Sequence, residues 1–300
     1  MRVAIEENGA ATAGWIAALR RQARDEEIRE FQSGTMTRVF GAAWLDSALR
    51  GADLLHASAR TPCAPKKAKL TATVDDLSSW LMPKLSSPAE TKAAREFAER
   101  ILAHAHGLIA VSESIRQDAI RVLGMEPENI TTIYPGVDKE FFEARPEPRE
   151  RPYVLAVGGD QPRHNFHTIQ IAWQALKPEL RNTFELVVEG APKPALMAGA
   201  TLLVHVPLYE GFALPVAQAL ASGIAVVTSD SSSLPEIGRD AGLMVDPHSV
   251  SEVAGALTRL LESESERAKL ARYGRARAEK YRWERCAEYS LAFFHRVAER

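Results

Sequence analysis

Three short segments hold the side chains that could do chemistry. The first is Leu208-Tyr209-Glu210-Gly211-Phe212-Ala213-Leu214-Pro215, where the apolar run "LLVHVP" ends and a helical pattern begins. Gly211 and the small Ala213 permit close approach of a ligand to the backbone. Pro215 suits a first helical turn, whose proline lacks only an N–H that has no partner there. The remaining N–H groups of that turn, aided by the helix dipole, attract phosphate. Glu210, at the edge of such a cradle, offers carboxylate acceptors to hydroxyl groups. A plain strand–turn–helix connection with a solvated glutamate fits the same residues.

The second segment, "VGGDQPRHN" (157–165), follows another apolar run. Gly158 and Gly159 allow a tight turn, and Arg163 adds a fixed fork of donors that matches phosphate oxygens. A solvated loop arginine is the plain alternative. The third is Asp75-Asp76 at the end of 70–74. Paired carboxylates there could hold a metal or work as acid and base, or one of them could cap the next turn. His56 and His205 fall on strand patterns and read as interior histidines, and His104 and His106 end a helix, where a cation is favourable. No His/Cys/Asp/Glu spacing of a metal site is present, so no metal or cofactor is expected. GxGxxG is absent, which removes the main support for a dinucleotide oxidoreductase.

The elements that must position these side chains alternate. Strand patterns at 3–5, 53–56, 70–74, 108–111 and 130–133 are separated by helix patterns near 13–24, 37–50, 88–105 and 113–123, the βα order of parallel sheets. Ser112 and Gly124 are placed to cap the last of these helices. The pattern restarts after the charged, proline-rich "EARPEPRERP" (143–152) with strands at 153–157, 184–188, 201–206, 224–228 and 242–245. The predicted organisation is α/β, with two Rossmann-like domains at 1–145 and 153–282, a linker at 146–152, and a final helix at 283–300.

Composition narrows the classes. A chain of 300 residues, 46% hydrophobic, can bury two ordinary cores. A formal net charge of -2 gives no basis for a nucleic-acid partner. Cys63 and Cys286 are far apart and read as reduced thiols. No segment has the length and apolarity of a membrane span or a signal peptide. A cytoplasmic protein is expected. Peripheral contact with the membrane's inner face stays open, with 15–24 and 83–100 as amphipathic candidates and "PKKAK" (65–69) as a solvated loop able to touch anionic lipid or a substrate phosphate.

On these residues the chain resembles the family-4 retaining glycosyltransferases of the GT-B fold. "ADLLHAS", "TATVDDLSSWLMP", "AHGLIAVSESIRQDAI", "ENITTIYPGVDKEFF", "YVLAVGGDQPRHN", "YRWERCAEYSL" and, most specifically, the stretch from Tyr209 to Pro247 follow the family's landmarks in order. The resemblance implies two Rossmann-like domains facing a cleft, with the last helix crossing back to the first domain. It also implies transfer of a sugar from a nucleoside-diphosphate sugar to an acceptor hydroxyl with retained configuration and without a metal. Arg163 would neutralise the diphosphate, backbone N–H groups around Phe212, Ala213, Leu214 and Pro215 would hold phosphate and sugar, and Glu210 would lie by the sugar.

Several positions depart from the family pattern. The second of its two glutamates is Gln218, which keeps one carbonyl acceptor for the ribose but loses the charge-assisted bond, weakening donor binding by about 1–2 kcal/mol. His164 replaces the usual lysine beside Arg163, and Asp75 replaces a histidine. The glycine-rich first loop is reduced to "EENGAATAG" (6–14), and the segment 190–207 is short for the base pocket it normally carries. These departures sustain a second reading, a catalytically degenerate binding or scaffold subunit. An epimerase or phosphorylase on the same architecture is a third. The donor's base and sugar, the acceptor and the oligomeric state are not encoded in any motif.

Overall fold

The computed structural model describes residues 1–6, 10–33, 35–159 and 161–300. Residues 7–9 of the reduced first loop and Asp160 of the second-half turn lie outside the described residues. The chain divides into two compact units, Met1–Gly136 with Trp283–Arg300, and Val137–Arg282.

The first unit is built on a six-stranded parallel sheet. Its strands are β1 (Arg2–Glu6), β2 (Glu27–Phe31), β3 (Leu54–Ala57), β4 (Lys69–Val74), β5 (Gly107–Ala110) and β6 (Ile130–Thr132), in the order β2-β1-β3-β4-β5-β6. Helices α1 (Ala10–Gln22), α2 (Thr35–Ala48), α3 (Ser78–Leu81), α4 (Pro88–Arg100) and α5 (Glu113–Leu123) lie between the strands. Five of the six strands fall where apolar runs place them. The sixth, β2, has the sequence Glu-Ile-Arg-Glu-Phe, and only Ile28 is fully buried. As an edge strand it carries charges on its open side, which hides it from a search for apolar runs. Helix α5 starts on the Ser112 side chain, which accepts from the Ile115 amide at 3.1 Å, and stops at Gly124 with φ 65°.

The long carboxy-terminal helix α14 (Trp283–Glu299) belongs to this unit. Cys286, Ala287, Ser290, Phe293, Phe294 and Val297 recur at three- and four-residue spacing and form its buried stripe. That stripe packs on Ile16 and Leu19 of α1 and on Ile109 of β5. Each such large side chain taken fully out of water contributes about 1.5–3 kcal/mol. Trp15 is partly buried against this core: its Nε1 donates to Ser290 Oγ at 3.0 Å and its ring meets His56 and Phe294. His56 is a satisfied interior histidine, with Nδ1 and Nε2 at 3.1 and 3.0 Å from the hydroxyls of Thr71 and Thr73.

The second unit carries β7 (Tyr153–Val157), β8 (Glu185–Glu189), β9 (Leu202–His205), β10 (Ala225–Ser229) and β11 (Gly242–Val245), all parallel, in the order β11-β10-β9-β7-β8. Its helices are α6 (Lys139–Glu143), α7 (Phe166–Gln174), α8 (Pro178–Thr183), α9 (Pro194–Gly199), α10 (Leu214–Ser222), α11 (Leu234–Gly238), α12 (Val250–Glu262) and α13 (Glu264–Ala278). Its core gathers Val154, Leu202, Val204, Val227, Leu257 and Leu260 from β7, β9, β10 and α12. The short 190–207 segment has room for only the six-residue α9 and for β9.

The unit boundary lies ahead of the expected linker. Residues 137–144 are tied into the second unit, where Phe141 accepts from Ser222 Oγ and Phe142 from Arg275. The stretch 146–152 is also held there. Arg151 donates to the carbonyls of Arg181, Asn182 and Phe184, and the guanidinium of Arg149 lies 4.8 Å above the Tyr153 ring. Charge and proline make this segment look solvated, but Arg151 finds backbone acceptors within the unit and Arg149 an aromatic face. No helix among the described residues is long and apolar enough to cross a membrane.

Candidate functional site

In the second sheet β7 is flanked by β8 on one side and β9 on the other, so chain progression reverses between β7 and β9. Loops leaving the carboxyl ends of two such strands diverge and leave a crevice, the usual ligand position in open parallel sheets. The loop after β7 contains Gly158, Gly159, Arg163 and His164. The loop after β9 contains Glu210. The topology thus brings together two of the three segments singled out by chemistry.

The loops are fastened to one another. Asn165, at φ 55°, donates through Nδ2 to the carbonyls of Val206 (3.0 Å) and Pro247 (2.7 Å), and the Leu208 amide donates to the Arg163 carbonyl at 2.8 Å. The loop after β10 grips the backbone of Glu210: its amide donates to Ser232 Oγ at 3.0 Å and its carbonyl accepts from Ser233 Oγ at 2.9 Å. The serines of "SDSSSLPE" are thus a positioning device that residue-type reasoning missed.

Arg163 Nη1 donates to the Tyr209 carbonyl at 3.3 Å and lies 3.8 Å from Glu210 Oε2. The other carboxylate oxygen, Oε1, faces His205 Nε2 at 3.5 Å. His205 therefore departs from the plain interior reading that fits His56. Its Nδ1 is 2.8 Å from the Val157 carbonyl, which can only accept, so Nδ1 carries a proton. The signal in the sequence was a histidine at the carboxyl end of a fully buried strand, five residues before the acid.

Burial works against ionisation of Glu210, but His205, Arg163 and His164 together outweigh it and hold the carboxyl below its ordinary range. The side chain keeps 17% of its surface accessible and that of Arg163 20%, so both are fixed yet reachable. His164 lies in a single 3-10 turn, Pro162–His164, with its ring against Gly159. A Cβ on that glycine would stand 3.2 Å from Nδ1. A Cβ on Gly158 would meet the Phe166 ring at 3.3 Å.

Helix α10 begins at Leu214 with Ala213 in the left-handed region at φ 57° and no side-chain cap. The methyl of Ala213 is buried, 1% exposed, which leaves the expected role to its backbone. Gly211 and Phe212 are buried as well, the Phe212 ring packing edge-on against Tyr281 at 5.4 Å. Solvent reaches Leu214, Pro215 and Gln218. Leu214 and Gln218 share one face of α10, one turn apart.

Asp75 belongs to the first unit, where it follows β4. Solvent reaches its side chain, while the protein around the carboxyl and the charge of Asp76 push it up to about 6. Asp76 does the capping, accepting from the Ser78 amide at 2.6 Å. A buried carboxylate went unnoticed in the sequence. Glu6, at the end of β1, accepts from the hydroxyls of Ser33, Ser58 and Thr61 and so joins the chain ends beyond β1, β2 and β3. Among the described residues no group of three His, Cys, Asp or Glu side chains could hold a metal ion.

The comparisons with known proteins match each half. Residues 15–141 match the Glycosyltransferase Family 4 model, and 188–277 the Glycosyl transferases group 1 model. The chain is 24% identical over 259 residues to the O-antigen chain mannosyltransferase B of Escherichia coli, covering 73% of this chain and 68% of that protein. It is 28% identical over 237 residues to the MMP alpha-(1->4)-mannosyltransferase of Mycolicibacterium hassiacum, covering 68% of this chain and 57% of the relative. The chain thus spans between about half and two thirds of the length of these relatives. Its fold is similar to the crystal structure of Anabaena Alr3699/HepE in complex with UDP and glucose (TM-score 0.75, 16% identity, 98% of this chain and 99% of that one). It is also similar to WaaG, a glycosyltransferase involved in lipopolysaccharide biosynthesis (TM-score 0.71, 16% identity, 97% and 98%). Two family models in the expected order, on two parallel-sheet units of this fold, place the chain in the family-4 glycosyltransferases of GT-B type.

Proposed function

We propose that the chain transfers a sugar from a nucleoside-diphosphate sugar to an acceptor hydroxyl, with retention of the anomeric configuration. The observation that carries this reading is the meeting of Arg163 and Glu210 at the strand-order reversal of the second sheet. A guanidinium there suits a diphosphate, and an ionised carboxylate beside it suits the hydroxyls of the attached sugar. Negative charge grows on the departing diphosphate, so fixed donors aimed at it lower the barrier. The first amides of α10, which Ala213 leaves without a side-chain cap, add donors of the same sign.

Two sets of names agree with the class. Relatives named as mannosyltransferases favour a hexose donor, and fold neighbours solved with UDP, glucose and UDP-glucose favour a nucleotide-linked one. The chain needs no metal in this scheme, because Arg163 and backbone amides supply the positive end. The acceptor is a glycan, a lipid-linked sugar or a small molecule.

The test is incubation of purified protein with UDP- and GDP-hexoses and a panel of sugar acceptors, following nucleotide release and product configuration. Transfer with retained configuration, abolished in Glu210→Gln, is the expected result. Calorimetry without heat for UDP and GDP, together with no turnover, would reject the reading. That outcome would favour the binding-subunit alternative, which rests on the missing carboxylate at Gln218.

A further inference from the structure

His205 closes β9 with its side chain out of water, yet the ring ends against a charge. Its Nδ1 lies 2.8 Å from the Val157 carbonyl, which fixes the ring against the end of β7. The other nitrogen, Nε2, is buried and has no hydrogen-bond partner among the described residues. Thr228, its register neighbour on β10, does not bond to it, since Thr228 Oγ1 has no partner either. What Nε2 does face is Glu210 Oε1, at 3.5 Å.

His56, the buried strand histidine of the first unit, differs in its neighbours. Its nitrogens meet the hydroxyls of Thr71 and Thr73. Thr71 donates its own proton to the Leu55 carbonyl at 3.3 Å, so it accepts from Nδ1, and Thr73 is free to donate to Nε2. A neutral ring is satisfied there. The neighbours of His205 are a carbonyl and a carboxylate, which only accept. With a single proton, on Nδ1, the ring would turn the lone pair of Nε2 onto a negative charge, and a buried polar atom left unmatched is costly. A proton on each nitrogen removes the conflict. Charge-assisted bonds of this kind run at about 2.7–2.9 Å, and in ligand-free sites they are often long until the ligand seats.

We propose that His205 carries a proton on both ring nitrogens and is the positioning residue of Glu210: Nε2 holds Oε1, which leaves Oε2, on the Arg163 side, to accept a hydroxyl of the donor's sugar. Ser232 and Ser233 fix where the backbone of residue 210 sits, and His205 fixes how its carboxylate is turned. Arg163 and His164 bear on the same carboxylate from the loop after β7. At 2% exposure the imidazole itself does not touch a ligand. The sugar's part rests on the function proposed above; the proton on Nε2 does not.

The test is NMR of isotope-labelled histidine rings in the wild type, with calorimetry on wild type, His205→Gln and His205→Asn. At neutral pH the His205 ring, assigned through its own backbone signals, should carry protons on both nitrogens. A bare Nε2 overturns the proposal, and this measurement stands even where a variant does not fold. Gln brings an N–H to about the place of Nε2 and can hold Glu210, whereas Asn reaches only as far as Nδ1 and can keep the Val157 bond alone. In His205→Asn the affinity for a UDP- or GDP-hexose should fall about ten- to hundredfold, as for a lost bond to a charged group. Affinity for free UDP or GDP should not change, because Arg163 and the α10 amides hold the diphosphate, and His205→Gln should recover most of the loss. Thermal melting checks that each variant is folded. Equal losses in the two variants, or a matching loss for the free diphosphate, would assign His205 to the fold alone and overturn the positioning. A wild type that binds neither nucleotide would reject the function proposed above and with it the sugar's part, while the ring protons still decide the contact with Glu210.

Discussion

Arg163 Nη1 stands 3.8 Å from Glu210 Oε2, and the two side chains come from loops after β7 and β9 that are joined by backbone bonds. The pair is held from behind: Arg163 also donates to the Tyr209 carbonyl, and Ser232 and Ser233 fix the backbone of Glu210. A site in which the charged groups are already placed needs little rearrangement to receive a charged ligand. This is the arrangement on which the functional predictions rest.

Arg163→Ala should raise the dissociation constant of the nucleotide-sugar donor about ten- to hundredfold, the loss of a bond to charged phosphate being about 1.5–3 kcal/mol. Titration calorimetry with UDP and GDP sugars reads this directly. Unchanged affinity would mean that the diphosphate lies elsewhere.

Gln218→Glu should tighten donor binding by about 1–2 kcal/mol, because a carboxylate accepts a ribose hydroxyl more strongly than an amide carbonyl does. Gln218 is half-buried on the accessible face of α10, so the change needs no repacking. The same titration decides it. A null result would show that the ribose does not reach this helix.

Glu210 links stability to pH in a definite direction. Its carboxyl is held below its ordinary 4.5, so it favours the folded state above that pH, and the contribution is lost as pH falls through the lower folded value. Melting temperatures of wild type and Glu210→Gln, compared between pH 7 and pH 3, should converge at the acid end. Parallel curves would indicate that His205 and Arg163 do not stabilise the carboxylate.

Gly107→Ala should destabilise the first unit by about 1–3 kcal/mol, the usual penalty for overfilling a packed core. A Cβ at Gly107 would stand 2.6 Å from Val297 Cγ2 and 3.0 Å from the Phe293 ring, forcing α14 off β5. Chemical denaturation measures the loss. A neutral result would mean that α14 does not rest there in solution.

The sequence by itself determined the βα alternation, ten of the eleven strands among the described residues, the caps of α5 and the two loops that carry Arg163 and Glu210. These are local properties: the apolar period of a segment and the residue types at its ends decide them whatever packs nearby. Tertiary structure decided the rest. It made β2 an edge strand despite its charges, tied 137–152 into the second unit through arginine–carbonyl bonds, and separated two strand histidines of like appearance. His56 lies between threonine hydroxyls, and His205 lies against Glu210. It also buried the Ala213 methyl and left Phe40 and Trp44 in water. Which face of a helix or which end of a strand meets another element depends on contacts between residues distant in the chain, and no local pattern records them.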